Sequence, residues 1–213
     1  MDERNRLPFG TAVKLSSRFS YAPKEIAVSK GANGKIYLLK LYVKGCKKSM
    51  IKLTKLSAAL KNLNFVAWIK KNNYDYILSD CFILKTNQEI KGSALTKLIS
   101  LLETVPQEGQ GIQNRYNHRK EMTEVEMENL LNLLECKDKR PVHFTNLIYQ
   151  TDKELFSIFK GEDYIFVNKK YLDLIDLYEK NIEIYGGKKF SPIYFIKDNE
   201  ELMILPVRLE ENP

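Results

Sequence analysis

An α+β protein of two small domains, with antiparallel sheets and amphipathic helices, is the fold that this sequence predicts. Three observations carry it. Several stretches read as strands, residues 35–43 by their aromatic and aliphatic content and 165–167 by a two-residue period. Others have apolar residues at helical spacing behind a capping residue, as after Thr54, Ser93, Thr123 and Asn168. Composition also changes over residues 105–120, where Pro106, Gly109 and Gly111 sit among Gln and Glu. That change predicts a basic linker at 108–121 between an N-terminal domain, 1–107, and a C-terminal domain of βαβββ character, 122–213.

Taken in order, residues 11–21 hold one expected strand, 31–34 a turn and 35–43 a second strand. Lys44, Lys47 and Lys48 make a basic turn, and a short strand follows at 49–53. Thr54 opens a helix expected to reach about Lys71. Leu56, Leu60, Leu63 and Val66 or Ala67 form its stripe, Trp68 is core, and Asn72-Asn73 stops it. Residues 74–85 read as one strand. Ser93 begins a helix through Leu95, Leu98, Ile99 and Leu102. Thr123 begins the next, with Glu126 at the capping-box position and an acidic first turn.

Strands at 142–149 and 155–160 flank a turn at Thr151-Asp152-Lys153. The strand at 164–167 runs into Asn168, a helix N-cap, and Tyr171, Leu172, Leu174, Ile175 and Leu177 recur at helical spacing. Gly186-Gly187 makes a turn. Two further strand-forming runs, 190–195 and 202–209, are separated by the polar loop 197–200. The acid pairs Glu162-Asp163 and Glu200-Glu201 fall in expected turns and read as solvated. A faint internal repeat sets residues 51–67 and 76–85 against 166–177 and 193–205.

The chain has 213 residues, 44% hydrophobic, enough for a substantial core. No run approaches the roughly 20 apolar residues of a membrane helix. The charged start, Met1 to Arg6, lacks an apolar signal segment, so a cytoplasmic location is expected. Cys46, Cys81 and Cys136 are widely spaced, and His118 and His143 are the histidines. That pattern predicts neither a disulfide framework nor a zinc site, and no cofactor or metal is expected. The net charge is +7, which favours a polyanionic partner, DNA or RNA. Arg115, Arg119 and Lys120 around Tyr116 form the densest basic and aromatic cluster, suited to phosphates and stacking or else to a solvated linker.

The strand before Asn168, then Tyr171, the apolar helix, and the terminal Pro206-Val207-Arg208-Leu209 behind Ser191-Pro192 resemble the last repeat of a bacterial DNA sliding clamp. The resemblance covers residues 140–209 best and is thin before them. It implies a non-enzymatic replication protein of repeated βαβββ units, acting by topology, and self-associating where it forms a ring. It implies inner-wall helices at Thr54 and Asn168, with Lys55, Lys61, Lys70, Lys71, Lys169 and Lys170 meeting phosphates diffusely. The acidic helix at Thr123 suits such a wall badly. The resemblance also implies an apolar groove for a short motif of replication or host proteins at Met203, Leu205, Pro206, Val207 and Arg208. The chain is too short for the bacterial three-domain subunit, which points to a phage- or plasmid-encoded relative. An alternative is a phage or mobile-element regulator, or counter-defence protein, that binds nucleic acid or a host nucleoprotein without a ring. A Mg²⁺ nuclease is a third reading, from Asp80, Glu89 and Lys91.

Overall fold

The computed structural model describes residues 26–30, 36–40, 49–135 and 140–208. The chain divides into two compact units, Met1–Lys48 and Ser49–Pro213. In the first, β1 (Ile26–Lys30) and β2 (Ile36–Lys40) pair antiparallel, with Ile26 opposite Lys40. The strand expected within 11–21 and the basic turn at 44–48 lie outside the described residues.

The second unit runs α1 (Leu53–Ala59), β3 (Phe65–Lys71), β4 (Tyr74–Ser79), β5 (Phe82–Thr86), α2 (Gly92–Leu102), β6 (Gly111–Arg115), β7 (His118–Glu121) and α3 (Glu124–Leu131). A single 3-10 turn, Asn132–Leu134, extends α3. Then come β8 (Arg140–Pro141), β9 (His143–Gln150), β10 (Leu155–Lys160), β11 (Tyr164–Asn168), α4 (Lys169–Leu172), β12 (Glu183–Gly186), β13 (Ile193–Lys197) and β14 (Glu200–Ile204). Nine strands form one sheet in the order β7-β6-β3-β4-β5-β14-β13-β12-β8, and β11-β10-β9 form a smaller one. Every strand pairing among the described residues is antiparallel.

The order of the large sheet is nearly palindromic. The meander β3-β4-β5 meets the meander β14-β13-β12 where β5 pairs with β14, Leu84 opposite Leu202. A helix precedes each meander, α1 the first and α4 the second. This places the two stretches of the internal repeat, 76–85 and 193–205, as hairpins side by side.

Alternation along the strands divides the core between two faces. Val66, Trp68, Ile77, Phe82, Leu84, Phe195, Leu202 and Ile204 share one cluster with Leu56 of α1, Leu60 just beyond it, Leu98 of α2 and Leu172 of α4. The small sheet joins the same cluster through Ile165, Val167 and Phe159, whose ring meets Phe195 edge-on at 5.7 Å. Phe65, Ala67, Ile69, Leu78, Ile83 and Met203 face the other way, against Met127 of α3 and Leu134. Helix α3 lies close over β6, because Gly111 has no side chain: a Cβ there would stand 2.7 Å from the Met127 sulfur.

Several sequence expectations need correction. The helix expected to reach Lys71 ends at Ala59, and residues 65–71 are strand β3. Asn62, at φ 60°, breaks the helix, and the β-branched and aromatic run that follows is buried on both faces of a sheet, which a helical stripe cannot satisfy. Residues 74–85 are two strands, because the Ser79 hydroxyl accepts from the amides of Cys81 and Phe82 (3.1 and 2.9 Å) and turns the chain. Most of the stretch expected as a linker is the β6-β7 hairpin, with Tyr116 and Asn117 at positive φ in a two-residue turn. The Asn168 cap is as expected, its side chain accepting from the Lys170 amide at 2.9 Å, but α4 is one turn long. Beyond it, Leu174 and Asp176 bond to Lys52 and Met50 (2.7 and 2.9 Å), so their backbone groups serve a bridge instead of a helix.

Glu200 is also not solvated. It is 6% exposed, and its carboxylate accepts from the Ser49 hydroxyl and Gln88 amide (2.7 Å each), the Met50 backbone amide (2.9 Å) and the Thr86 hydroxyl (3.1 Å). Glu201 is half-buried and pairs with Lys85 at 2.5 Å. The expected consequence is an asymmetry in urea unfolding. Glu200→Ala strands buried donors and should cost about 2–4 kcal/mol. Glu201→Ala removes a partly solvated pair and should cost about 1 kcal/mol or less. Equal losses would contradict the role given to Glu200.

Candidate nucleic-acid interface

Helices α1 and α4 lie side by side on one face of the large sheet. The backbone bridge between Ile51 and Ile175 sets them there, and the Lys170 ammonium donates to the Lys61 carbonyl at 2.8 Å. The fold thus brings together Lys55, Lys61, Lys169 and Lys170, which are far apart in sequence. Lys55 and Lys61 are exposed, with no acidic partner among the described residues. Lys169 is paired with Asp173 at 2.8 Å, and Lys170 lies over the Tyr171 ring at 5.2 Å. Nearby Lys52 is 3.7 Å from Asp176. The result is a cationic patch with partial internal compensation, able to attract phosphates without fixing one.

Lys70 and Lys71 do not join it, because they stand at the far end of β3. Lys70 meets Asp75 (3.7 Å) beside Trp68, whose indole donates to the same carboxylate at 2.7 Å. Lys71 reaches Glu128 of α3 at 3.5 Å, on the opposite face. The acidic helix α3 therefore lies across the sheet from α1 and α4, not beside them.

The β6-β7 hairpin carries the second basic group. Arg119 donates from Nε to the Leu101 carbonyl (3.0 Å) and pairs with Glu103, so it finishes the C-terminus of α2 together with Asn114. Lys120 pairs with Glu126 at 2.5 Å and holds that carboxyl below its ordinary range. Arg115 lies over the Phe65 ring at 5.0 Å, with no acidic partner among the described residues. The sequence reading overlooked Gln113 and His118 here. Their signal was strand alternation across 111–121, which puts Gln113 opposite Lys120 and Arg115 opposite His118.

The terminal run divides. Met203 is 4% exposed in the cluster beneath α3. Leu205 to Arg208 leave β14, with the Leu205 amide donating to Cys81 and the Val207 amide to the Phe166 carbonyl (2.9 Å each). Leu205 is exposed, Pro206 and Val207 are half-buried, and Arg208 lies over Phe190 at 5.2 Å. Leu209 and residues 210–213 lie outside the described residues.

Asp80 and Glu89 are not neighbours. They lie beyond opposite ends of β5, a strand of about 17 Å at the usual rise. Asp80 accepts from the Asn64 amide at 3.2 Å, and Glu89 faces Lys91 at 3.7 Å in solvent. Among the described residues no group of acids, histidines and cysteines is arranged to hold a metal ion.

Tyr171 packs on Phe82 (5.6 Å between rings) beside Cys81. Burial pushes the Cys81 thiol up from its ordinary range, and burial together with the Cys81 contact pushes the Tyr171 phenol up as well. A raised thiol pKa means less thiolate at any given pH. In a Cys46→Ser, Cys136→Ser background, disulfide-exchange labelling of Cys81 should rise with pH along a curve shifted above that of the unfolded chain. The Tyr171 hydroxyl favours the thiolate, so Tyr171→Phe should slow labelling further. A native curve lying on the unfolded one would contradict the buried placement.

No helix among the described residues is long and apolar enough to cross a membrane. No protein-family model and no curated protein matches the chain. Among solved structures it is similar to a crystal structure from Eubacterium rectale ATCC 33656, provisionally assigned as a DNA polymerase III beta subunit, at 13% identity over 89% of this chain and 78% of that one, with a TM-score of 0.33. The chain itself is an α+β protein of antiparallel sheets with few helices.

Proposed function

We propose that this protein is a non-enzymatic, sliding-clamp-like DNA tether, which presents the α1–α4 face to duplex phosphates and holds replication proteins by short peptide segments. The observation that carries the reading is the pairing of two helix-plus-meander units at β5 and β14, which brings their leading helices together with Lys55, Lys61, Lys169 and Lys170 on one face. Repeated units with basic helices on a common side are what the terminal motif resemblance implies. The placement of acidic α3 on the other face removes the main electrostatic objection. Diffuse lysine contacts favour sliding, because no single phosphate position is preferred. Leu205, Pro206 and Val207 are the residues proposed to meet a partner peptide.

A second reading is a regulator that binds nucleic acid or a host nucleoprotein without encircling DNA. What favours it is the continuous nine-stranded sheet, which merges residues from both halves of the sequence into one unit. A two-domain ring subunit would keep two.

Light scattering over a concentration range separates the readings. A ring of two-domain subunits predicts a stable trimer near three times 24.8 kDa, and a monomer at all concentrations removes the ring. Duplex affinity tests the face itself. Lys55→Glu with Lys61→Glu should weaken duplex binding about ten-fold or more at moderate salt and lower the salt slope by about 0.9 per lost phosphate contact. Unchanged affinity and slope would exclude this face.

A further inference from the structure

A second candidate site lies on the opposite face of the sheet. Between the β6-β7 hairpin and the start of α3 is a cleft of about 480 Å³, lined by Gln113, Arg115, Tyr116, His118, Lys120 and Glu126, with Arg119 at its margin. At its floor is an unusual group. Gln113 is 7% exposed, yet its carboxamide has no hydrogen-bond partner among the described residues. No buried side-chain polar atom among the described residues lacks a partner, so the exposed part of Gln113 includes its amide, which opens onto the cleft and can pair with a ligand there.

The surroundings indicate what would pair with it. The Arg115 guanidinium lies over the Phe65 ring at 5.0 Å and has no acidic partner among the described residues, so its N–H groups can serve an anion. His118 stands opposite Arg115 in the register, on the same side. Tyr116, 69% exposed at the tip of the turn, offers an aromatic ring. Lys120 and Glu126 neutralise each other and form a polar wall. An amide at the floor, a ring at the rim and an unpaired guanidinium beside them match the parts of one nucleotide: base edge, base face and phosphate. A glutamine amide donates and accepts together, which suits the N6/N7 edge of adenine. The cleft is at a sheet edge and open, so the base must already be unpaired.

We propose that this cleft seats one unpaired adenine nucleotide of a single strand, with the base on Gln113 and Tyr116 and the phosphate on Arg115. It rests on the preceding reading only for the class of partner, nucleic acid, and uses none of the α1–α4 residues.

The test is fluorescence anisotropy with end-labelled dA12, dT12 and a 12-base-pair duplex. The wild type should bind dA12 more tightly than dT12. Tyr116→Ala should weaken dA12 about ten-fold, the usual order for losing one stacked base, and leave the duplex unchanged. Gln113→Leu fills the same space without the amide and should abolish the preference for dA12 over dT12. Where circular dichroism shows that this variant has not folded, Tyr116→Ala, which changes an exposed turn, decides alone. Lys55→Glu with Lys61→Glu should lower duplex affinity and leave the dA12-to-dT12 ratio intact, so failure of one site is distinguishable from failure of the other. Three results would overturn the proposal: no dA12 preference in the wild type, dA12 affinity unmoved by Tyr116→Ala, or displacement of dA12 by hexaglutamate as effectively as by unlabelled dA12. The last would give the cleft to an acidic peptide.

Discussion

The junction of β5 with β14 is the constraint on which the second unit depends, and the buried Glu200 carboxylate locks it. A carboxylate removed from water is costly unless its oxygens are fully engaged. Here they are engaged by groups from the segment before α1, from the end of β5 and from the loop beyond it. No cation is among these partners, so uncharged donors do the stabilising. One side chain at the start of β14 thereby registers β14 against β5 and ties the entry of the unit to its last strand. The placement of α1 follows, because its preceding residues are held at Met50 by Glu200 and at Lys52 by Leu174.

From that junction the charge distribution of the unit follows. The alternation of β3 sends Val66 and Trp68 to one side and Phe65, Ala67 and Ile69 to the other, and each set gathers its own helices. Helices α1, α2 and α4 gather on the first side, and α3 covers part of the second. Among the described residues, the cations without an acidic partner include Lys55 and Lys61 on the α1–α4 face and Arg115 on the β6-β7 hairpin. Many other cations are already satisfied within the unit, as Arg119 is by Glu103 and Lys85 is by Glu201. Burial disfavours the Lys85 ammonium, but the adjacent Glu201 outweighs it and raises its pKa. The net charge of +7 is unaltered by such pairs, and position decides which lysines face a partner.

Sheet edges add to this picture. The β7 edge is His118-Arg119-Lys120-Glu121, wholly exposed and charged, and β8 is two residues with a proline. Both discourage pairing with another strand. The Val207 amide occupies the Phe166 carbonyl on β11. The terminal run singled out as a peptide groove therefore also closes an edge of the small sheet.

Much of the local structure was legible in the sequence, because it depends on short-range chemistry. The Thr123 capping box, the Asn168 cap, the hairpin of β9 and β10 and the hairpin of β13 and β14 follow from capping oxygens, turn residues and alternation over a few positions. The lysines of α1 and α4 were legible as a type of residue at a type of position. Tertiary structure alone decided the rest. A run buried on both faces, such as 65–71, has no period by which to tell strand from helix, and its neighbours in the sheet settle it. The carboxylate of Glu200 looked solvated beside a polar turn, because its partners at Ser49 and Gln88 are more than a hundred residues away. The placement of the Gln113 amide at the cleft and the meeting of Lys61 with Lys170 have the same origin. They are products of which strands adjoin, and strand adjacency is a long-range choice that local composition does not encode.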